Sequence, residues 1–199
     1  MPKPMLLVAV ARSKTVRRLV AVAVALNSML LLGIVVPLVA VPAVLAGTSS
    51  GASSGRPTVV GEWGYPLAGD YSKTDGFGFR SVQACAYCST DHKGYDMAQR
   101  CEATVYAAGP GTVVRAEGLG GLGNAVEIDH GGDVSTIYGH MMWRSLLVVP
   151  GTRVAAGTPL GLEGSTGTST GCHLHFEVRI AGVAVDPALF MADRGLPLK

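Results

Sequence analysis

The first 46 residues contain no aspartate or glutamate, against five basic side chains (Lys3, Arg12, Lys14, Arg17 and Arg18), and the run from Leu19 to Ala46 carries no charge at all. Such a run is a poor candidate for a buried core helix and long enough to cross a bilayer, which needs about 20 apolar residues. Basic residues before it and none within it place the N-terminus in the cytoplasm and everything after Ala46 outside. Without residues 1–46 the chain holds 11 basic against 14 acidic side chains, a net charge of −3. No basic patch remains in the exported part, which argues against a nucleic-acid partner. Beyond Val59 no long stretch has helical period, so an all-α or α/β fold is not expected. No pair of carboxylates is spaced as glycosidic hydrolysis usually requires. Histidine is scarce, with five in the whole chain, so each one carries weight in a search for chemistry.

The apolar segment has two readings. Val44-Leu45-Ala46 ends on the small residue a signal peptidase requires, and Pro37 and Pro42 interrupt a helix before it. The run is also longer than the roughly 7 to 15 residues of a signal-peptide core. A retained anchor over residues 19–46 and cleavage near Ala46 both stand, and each makes the rest of the chain extracytoplasmic. Residues 47–58, centred on Thr48-Ser49-Ser50-Gly51-Ala52-Ser53-Ser54-Gly55-Arg56, read as a flexible Gly/Ser linker. Residues 59–199 are the expected folded domain.

That domain is rich in glycine and short β-branched runs and reads as mostly β. Thr104 to Ala108 and Thr112 to Ala116 flank a turn at Gly109-Pro110-Gly111. Asn124 to Asp129 and Val134 to Tyr138 flank His130-Gly131-Gly132, a hairpin with His130 at its tip as an exposed loop histidine outside any site. Pro150 to Leu160 echoes the Val105 to Val114 stretch, a weak sign of a duplicated β unit. A lipoyl-like carrier hairpin would need an exposed lysine at the turn, and Gly109-Pro110-Gly111 offers none.

All four cysteines (Cys85, Cys88, Cys101 and Cys172) follow the apolar segment, and an even count in an exported domain favours disulfides. Cys85-x-x-Cys88 has zinc-ligand spacing, but a zinc ribbon needs a second close pair, which Cys101 and Cys172 are not. The expected bridge joins Cys101 to Cys85 or Cys88. Cys172, beside His173, would then fix the neighbouring strand by pairing with the remaining cysteine.

The stretch Thr170-Gly171-Cys172-His173-Leu174-His175-Phe176-Glu177-Val178-Arg179-Ile180 has period two. Leu174, Phe176, Val178 and Ile180 share one face. His173, His175, Glu177 and Arg179 share the other, making a half-buried strand with a polar working face. Two imidazoles on one rigid face suit metal binding or acid-base work. His92 and Asp96 lie four apart around Gly94, on a strand or bulge that lets both reach one cation. His140 follows Tyr138-Gly139 at a strand end, on the same side as Tyr138 by alternation.

Together His92-Lys93-Gly94-Tyr95-Asp96, Tyr138-Gly139-His140 and Ser169-Thr170-Gly171-Cys172-His173-Leu174-His175-Phe176-Glu177 resemble the M23 family of zinc metallopeptidases, the group of lysostaphin and the LytM-type cell-wall endopeptidases. The resemblance runs from about Gly76 to Pro187 and includes Gly123-Asn124 and Val185-Asp186-Pro187. It implies a compact antiparallel β-sheet or barrel-sandwich-like domain with a groove over the metal. It also implies one zinc held by His92, Asp96 and His175, with His140 and His173 as unligated catalytic histidines. Three protein ligands leave a fourth tetrahedral position open, as catalysis requires. The implied reaction is hydrolysis of amide bonds in peptidoglycan peptide cross-links. His173 would take the proton from water while His140 hydrogen-bonds the oxyanion, although the two roles are interchangeable at this level.

Glu177 is read either as a partner orienting an imidazole or as a solvated strand glutamate. Tyr87 and Asn124 are candidates for positioning substrate. Thr166, Thr168, Ser169 and Thr170 are candidates for binding peptide amides. Cys85, Cys88 and Cys172 go beyond the basic family pattern. The competing reading is a non-hydrolytic wall-binding or amidase-activating module, but such relatives lack ligands and this chain lacks none.

Overall fold

The computed structural model describes residues 55–81 and 89–199. The apolar segment, Cys85, Tyr87 and Cys88 lie outside the described residues, as does most of the linker. Among the described residues no helix is long and apolar enough to cross a membrane.

Fourteen short strands carry the fold, in this order: β1 Val59–Val60, β2 Trp63–Gly64, β3 Ser72–Asp75, β4 Gly78–Phe79, β5 Asp91–His92, β6 Tyr95–Ala98, β7 Thr104–Tyr106, β8 Gly111–Gly118, β9 Asn124–Gly131, β10 Val134–Met141, β11 Arg153–Val154, β12 Pro159–Leu162, β13 Leu174–Ile180 and β14 Val183–Val185. A single turn-and-a-half of helix, α1 Pro187–Ala192, follows. Its start is written locally: Asp186 accepts a hydrogen bond from the Ala188 amide, and Pro187 occupies a first-turn position whose amide has no helical partner.

The main sheet has eight strands in the order β11-β8-β9-β10-β13-β6-β3, with β14 beside β13. Each pairing among the described strands is antiparallel, so the expected mostly-β antiparallel fold is what forms. Val113, Val126, Ile128, Tyr138, Leu174, Phe176 and Val178 meet in one buried cluster with Met191 of α1. A fully buried side chain of this size contributes about 1.5–3 kcal/mol, so this cluster fixes the register of β8, β9, β10 and β13.

The first strand of the β9–β10 hairpin runs two residues further than its sequence pattern places it, to Gly131. Gly131, Gly132 and Asp133 all have positive φ and make the reversal. His130 is therefore a strand residue. Its Nδ1 lies 2.7 Å from the Pro110 carbonyl and its Nε2 2.8 Å from Thr136 Oγ1, and its ring packs on Trp63. It is a satisfied packing group and not an exposed loop histidine.

The two echoing segments turn out to be hydrogen-bonded to each other. β12 pairs with β7 and β11 with β8, and between these pairs the Ala107 amide donates to Thr158 O while Gly157 donates back to Ala107 O. Their similar sequences serve two halves of one local, mutually paired unit.

The cysteine pairing differs from expectation: Cys101 is bonded to Cys172, with Cα atoms 5.3 Å apart. The register explains it. Met97 on β6 faces Leu174 on β13, so the chain leaving β6 and the chain entering β13 run side by side. Proximity in the sheet, and not in sequence, selects the pair.

Candidate metal centre

The site lies where β5, β6, β10 and β13 come together. Asp96 and His175 are register partners across β6 and β13, and Gly139 is the partner of His175 on its other side. His92 ends β5, and the chain bends through Lys93 and Gly94 into β6. The bend passes directly over the His175 ring. A Cβ at Gly94 would lie 2.7 Å from His175 Cε1 and 2.7 Å from the Phe176 carbonyl, so only glycine lets the strand approach this closely.

His140 reaches the site through a break in alternation. A register shift against β9 falls between Tyr138 and Met141, and His140 has a φ of 58°. A bulge with left-handed backbone re-aims a side chain. Tyr138 accordingly points into the core, where its hydroxyl accepts from the Ala108 amide, while the His140 ring faces His173 and His175. The expectation that Tyr138 and His140 share a side fails for this reason.

His175 Nδ1 lies 2.8 Å from Asp96 Oδ1 and 3.0 Å from His92 Nε2, and His92 Nε2 lies 3.2 Å from Asp96 Oδ1. The other ring nitrogens are committed. His92 Nδ1 donates to the Gly76 carbonyl at 2.6 Å, and His175 Nε2 donates to Glu177 Oε1 at 3.0 Å. Neutral rings with those hydrogens placed outward have lone pairs facing inward, and the carboxylate oxygen also has only lone pairs to offer. With both rings neutral, three acceptors converge; without an ion, the proton that Asp96 holds on His175 Nδ1 occupies the place a cation would take. Donors about 2.0–2.2 Å from a tetrahedral zinc stand roughly 3.3 Å apart. The donor set and its spacing fit that ion.

The electrostatics agree with a site waiting for positive charge. Burial opposes a charged His175, but hydrogen bonds and charge from Asp96 and Glu177 outweigh it and push the imidazole up to about 9. Burial would raise Asp96, yet His175 and His92 hold its carboxyl well below the usual range. Glu177 is likewise held low against burial by His175 and then Arg179, whose Nε donates to it at 2.8 Å. Glu177 is buried and orients His175, so its solvated reading is excluded. Both faces of β13 are buried from Leu174 to Val178, because β5 and the Gly94 bend cover what looked like an open polar face.

Two more imidazoles border the centre without joining the cluster. His173 Nδ1 donates to Gly171 O at 2.8 Å, and its Nε2 lies 3.7 Å from Asp96 Oδ2. His140 Nδ1 donates to Thr166 O at 2.8 Å, and burial lowers this imidazole to about 4. All five groups line one cavity of about 540 Å³, together with Arg80, Thr168, Ser169 and Thr170. Arg80 had no signal in the sequence. Its Nη1 bonds Asp75 Oδ2 at 2.7 Å and lies 3.6 Å from Asp96 Oδ2. Asn124 and Thr166 do not line this cavity. Thr166 Oγ1 accepts from the Asn124 amide and donates to Met141 O, and Asn124 Nδ2 donates to Met142 O, so both brace loops.

Residues 90–187 match Peptidase family M23. The lysostaphin catalytic domain from Staphylococcus simulans superposes with a TM-score of 0.56 at 30% identity, over 61% of this chain and 92% of that domain. The chain belongs to peptidase family M23. A zinc-containing peptidase from Vibrio cholerae is similarly close to this M23 chain, with a TM-score of 0.56 and 32% identity over 65% of it and 39% of that protein. The peptidoglycan DD-endopeptidase ShyA of Vibrio cholerae is 34% identical over 122 residues, which make up 61% of this M23 chain but 28% of the relative. The chain thus spans less than a third of that curated relative's length. All five site groups, from His92 to His175, fall inside the matched residues 90–187.

Proposed function

We propose that this chain is a zinc-dependent endopeptidase that hydrolyses amide bonds in the peptide cross-links of peptidoglycan, with His92, Asp96 and His175 holding the metal. The observation that carries this reading is that His92 Nε2, Asp96 Oδ1 and His175 Nδ1 lie within 3.2 Å of one another while Gly76 O and Glu177 hold the outer ring nitrogens. Family membership and the similarity to ShyA and lysostaphin support the choice of metal and substrate. When bound there, zinc would serve as a Lewis acid, lowering the pKa of water towards about 7 and polarising a carbonyl.

The remaining steps belong to the chain. His173, fixed by Gly171 at Nδ1, presents Nε2 as the base that takes a proton from the attacking water and returns it to the leaving amine. His140 has spent its single hydrogen on Thr166, so as a neutral ring it adds a second lone pair. It becomes a donor to the developing oxyanion only after taking the water's second proton at Nε2, which it would then pass to the leaving amine. Ser169, Thr168 and Thr170 offer hydroxyls and backbone groups along one wall of the cavity for an extended peptide. The charge pattern of residues 1–46 supports an extracytoplasmic domain that is either anchored or released, where such a polymer is found.

The test is incubation of the purified exported region with defined muropeptides, with and without zinc, and product identification by mass spectrometry. New amino groups at a peptide bond are expected only with zinc. New reducing sugar ends without new amino groups would replace this reading with a glycosidase. Binding without any cleavage would favour a wall-binding module.

A further inference from the structure

The five groups at the centre are held in two different ways. Asp96 and His175 are opposed in the β6–β13 ladder, and His92 is opposed to Gly78 in the β4–β5 pair, so backbone hydrogen bonding fixes these three. The β6–β13 ladder ends at Met97 and Leu174. His173 lies one residue beyond that end. Its backbone amide bonds Gly164, at the far end of a glycine-rich loop that includes Gly167 and Gly171. The Gly164 end of the loop is joined to the β6 side by backbone bonds between Glu163 and both Glu102 and Ala103, and the His173 end is joined covalently: Cys172 is bonded to Cys101, three residues past β6.

We propose that the Cys101–Cys172 disulfide is a positioning device for His173, and that its reduction stops turnover while leaving the zinc-binding set assembled. The proposal rests on the reading of His173 as a group acting on substrate. Backbone bonds hold the loop as far as Thr168, whose amide donates to Gly121 O, so the stretch that reduction would loosen is residues 169–172, with Gly171 as its flexible point. The His173 contacts to Gly171 O and toward Asp96 both depend on where residues 171–173 lie. A misplacement of about 1 Å in a catalytic group costs on the order of 100-fold in rate. His92, Asp96 and His175 have no such dependence, because their strands are paired independently of the bridge.

The sulfurs are within reach of a reductant. Cys101 is exposed and Cys172 half-buried, and both line a second cavity of about 510 Å³ beside Trp143. A dithiol would act in two steps. Its first thiolate attacks one cysteine sulfur, forming a mixed disulfide and expelling the other cysteine as a thiolate. Its second thiol then displaces the first cysteine. Two electrons and two protons pass to Cys101 and Cys172, and the dithiol leaves as a disulfide.

The experiment compares the zinc-loaded full chain with its C101A/C172A variant, with H173A and H140A in parallel. Zinc per chain, kcat and KM on a cross-linked muropeptide, and the imidazole N–H resonances in NMR spectra are read. The expected result is unchanged zinc, KM within about 2-fold and kcat lowered by about 10- to 100-fold. In the unsubstituted chain a dithiol produces the same fall, reversible on reoxidation, and C101A/C172A does not respond to it. The His173 Nδ1–H resonance is expected to vanish into fast exchange in C101A/C172A while those of His92 and His175 persist. Unchanged kcat in C101A/C172A overturns the proposal, as does loss of zinc together with turnover. An unchanged His173 resonance overturns it whether or not any peptide is cleaved. If H173A retains full turnover, the role given to His173 is what fails, and the resonance still decides whether the disulfide positions it. Should C101A/C172A not fold, C101V/C172A refills the sulfur volume and carries the same readouts.

Discussion

Asp96 Oδ1 stands 2.8 Å from His175 Nδ1, and the two residues are register partners on adjacent antiparallel strands. The contact is therefore set by the sheet before any ion arrives. A preformed pair of this kind makes the proposed metal site a property of strand register, and several consequences can be measured.

Removing a ligand should empty the site, whereas removing a bordering imidazole should not. His175→Ala and Asp96→Ala are expected to lose zinc, and His140→Ala to keep it with turnover lost. Metal analysis of the purified variants decides this, and full zinc occupancy in both ligand variants would sink the assignment.

Glu177 holds the outer nitrogen of His175 at 3.0 Å and is itself held by Arg179. Replacing such an outer partner typically lowers metal affinity by about 10- to 100-fold. Glu177→Gln should show a drop of that size in a competitive chelator titration. An affinity equal to the parent would return Glu177 to a purely structural role.

Gly94→Ala places a methyl group 2.7 Å from both the His175 ring and the Phe176 carbonyl. Overpacking of this kind costs about 1–3 kcal/mol, and here the ring that must yield is a proposed ligand. The expected result is a lower melting temperature together with weaker zinc retention. A variant that melts and binds zinc like the parent would show that the bend can move away from β13.

Glu163 is buried, and that burial, only partly offset by amide hydrogen bonds from Gln99 and Arg100, pushes its carboxyl up to about 7 from an unfolded value near 4.5. The folded state then binds more protons between those values, so this residue makes stability fall as pH rises from about 4.5 to about 7. Glu163→Gln should melt higher than the parent at pH 8 and close to it at pH 5. Equal differences at both pH values would remove the titration from the explanation.

The Cys101–Cys172 bridge closes a loop with a sequence separation of 71. In the chain-entropy model that is worth about 4 kcal/mol at 25 °C. Mild reduction should lower the melting temperature accordingly. Thiol counting on unreduced, denatured protein should find neither cysteine free, and free thiols at 101 and 172 would overturn the pairing.

Much of the site could be read directly because its signals are local. Alternation over Leu174 to Ile180 separates Phe176 from His175, and the spacing of His92 and Asp96 around Gly94 brings both to one point. These features depend on residues within a few positions of one another, and such interactions hold in any context.

What the sequence by itself determined is the kind of chemistry and the strand period: which residue types are present, in what order, and which faces alternate. Tertiary structure alone decided the rest. The face of His140 depends on a bulge that exists only because β10 pairs with β9 in a shifted register, with its backbone at a φ of 58°. The partner of Cys101 depends on which strand ends lie side by side, and the buried role of Glu177 depends on a bend from β5 that closes over β13. Each is a contact between segments far apart in the chain, selected by the packing of the whole sheet.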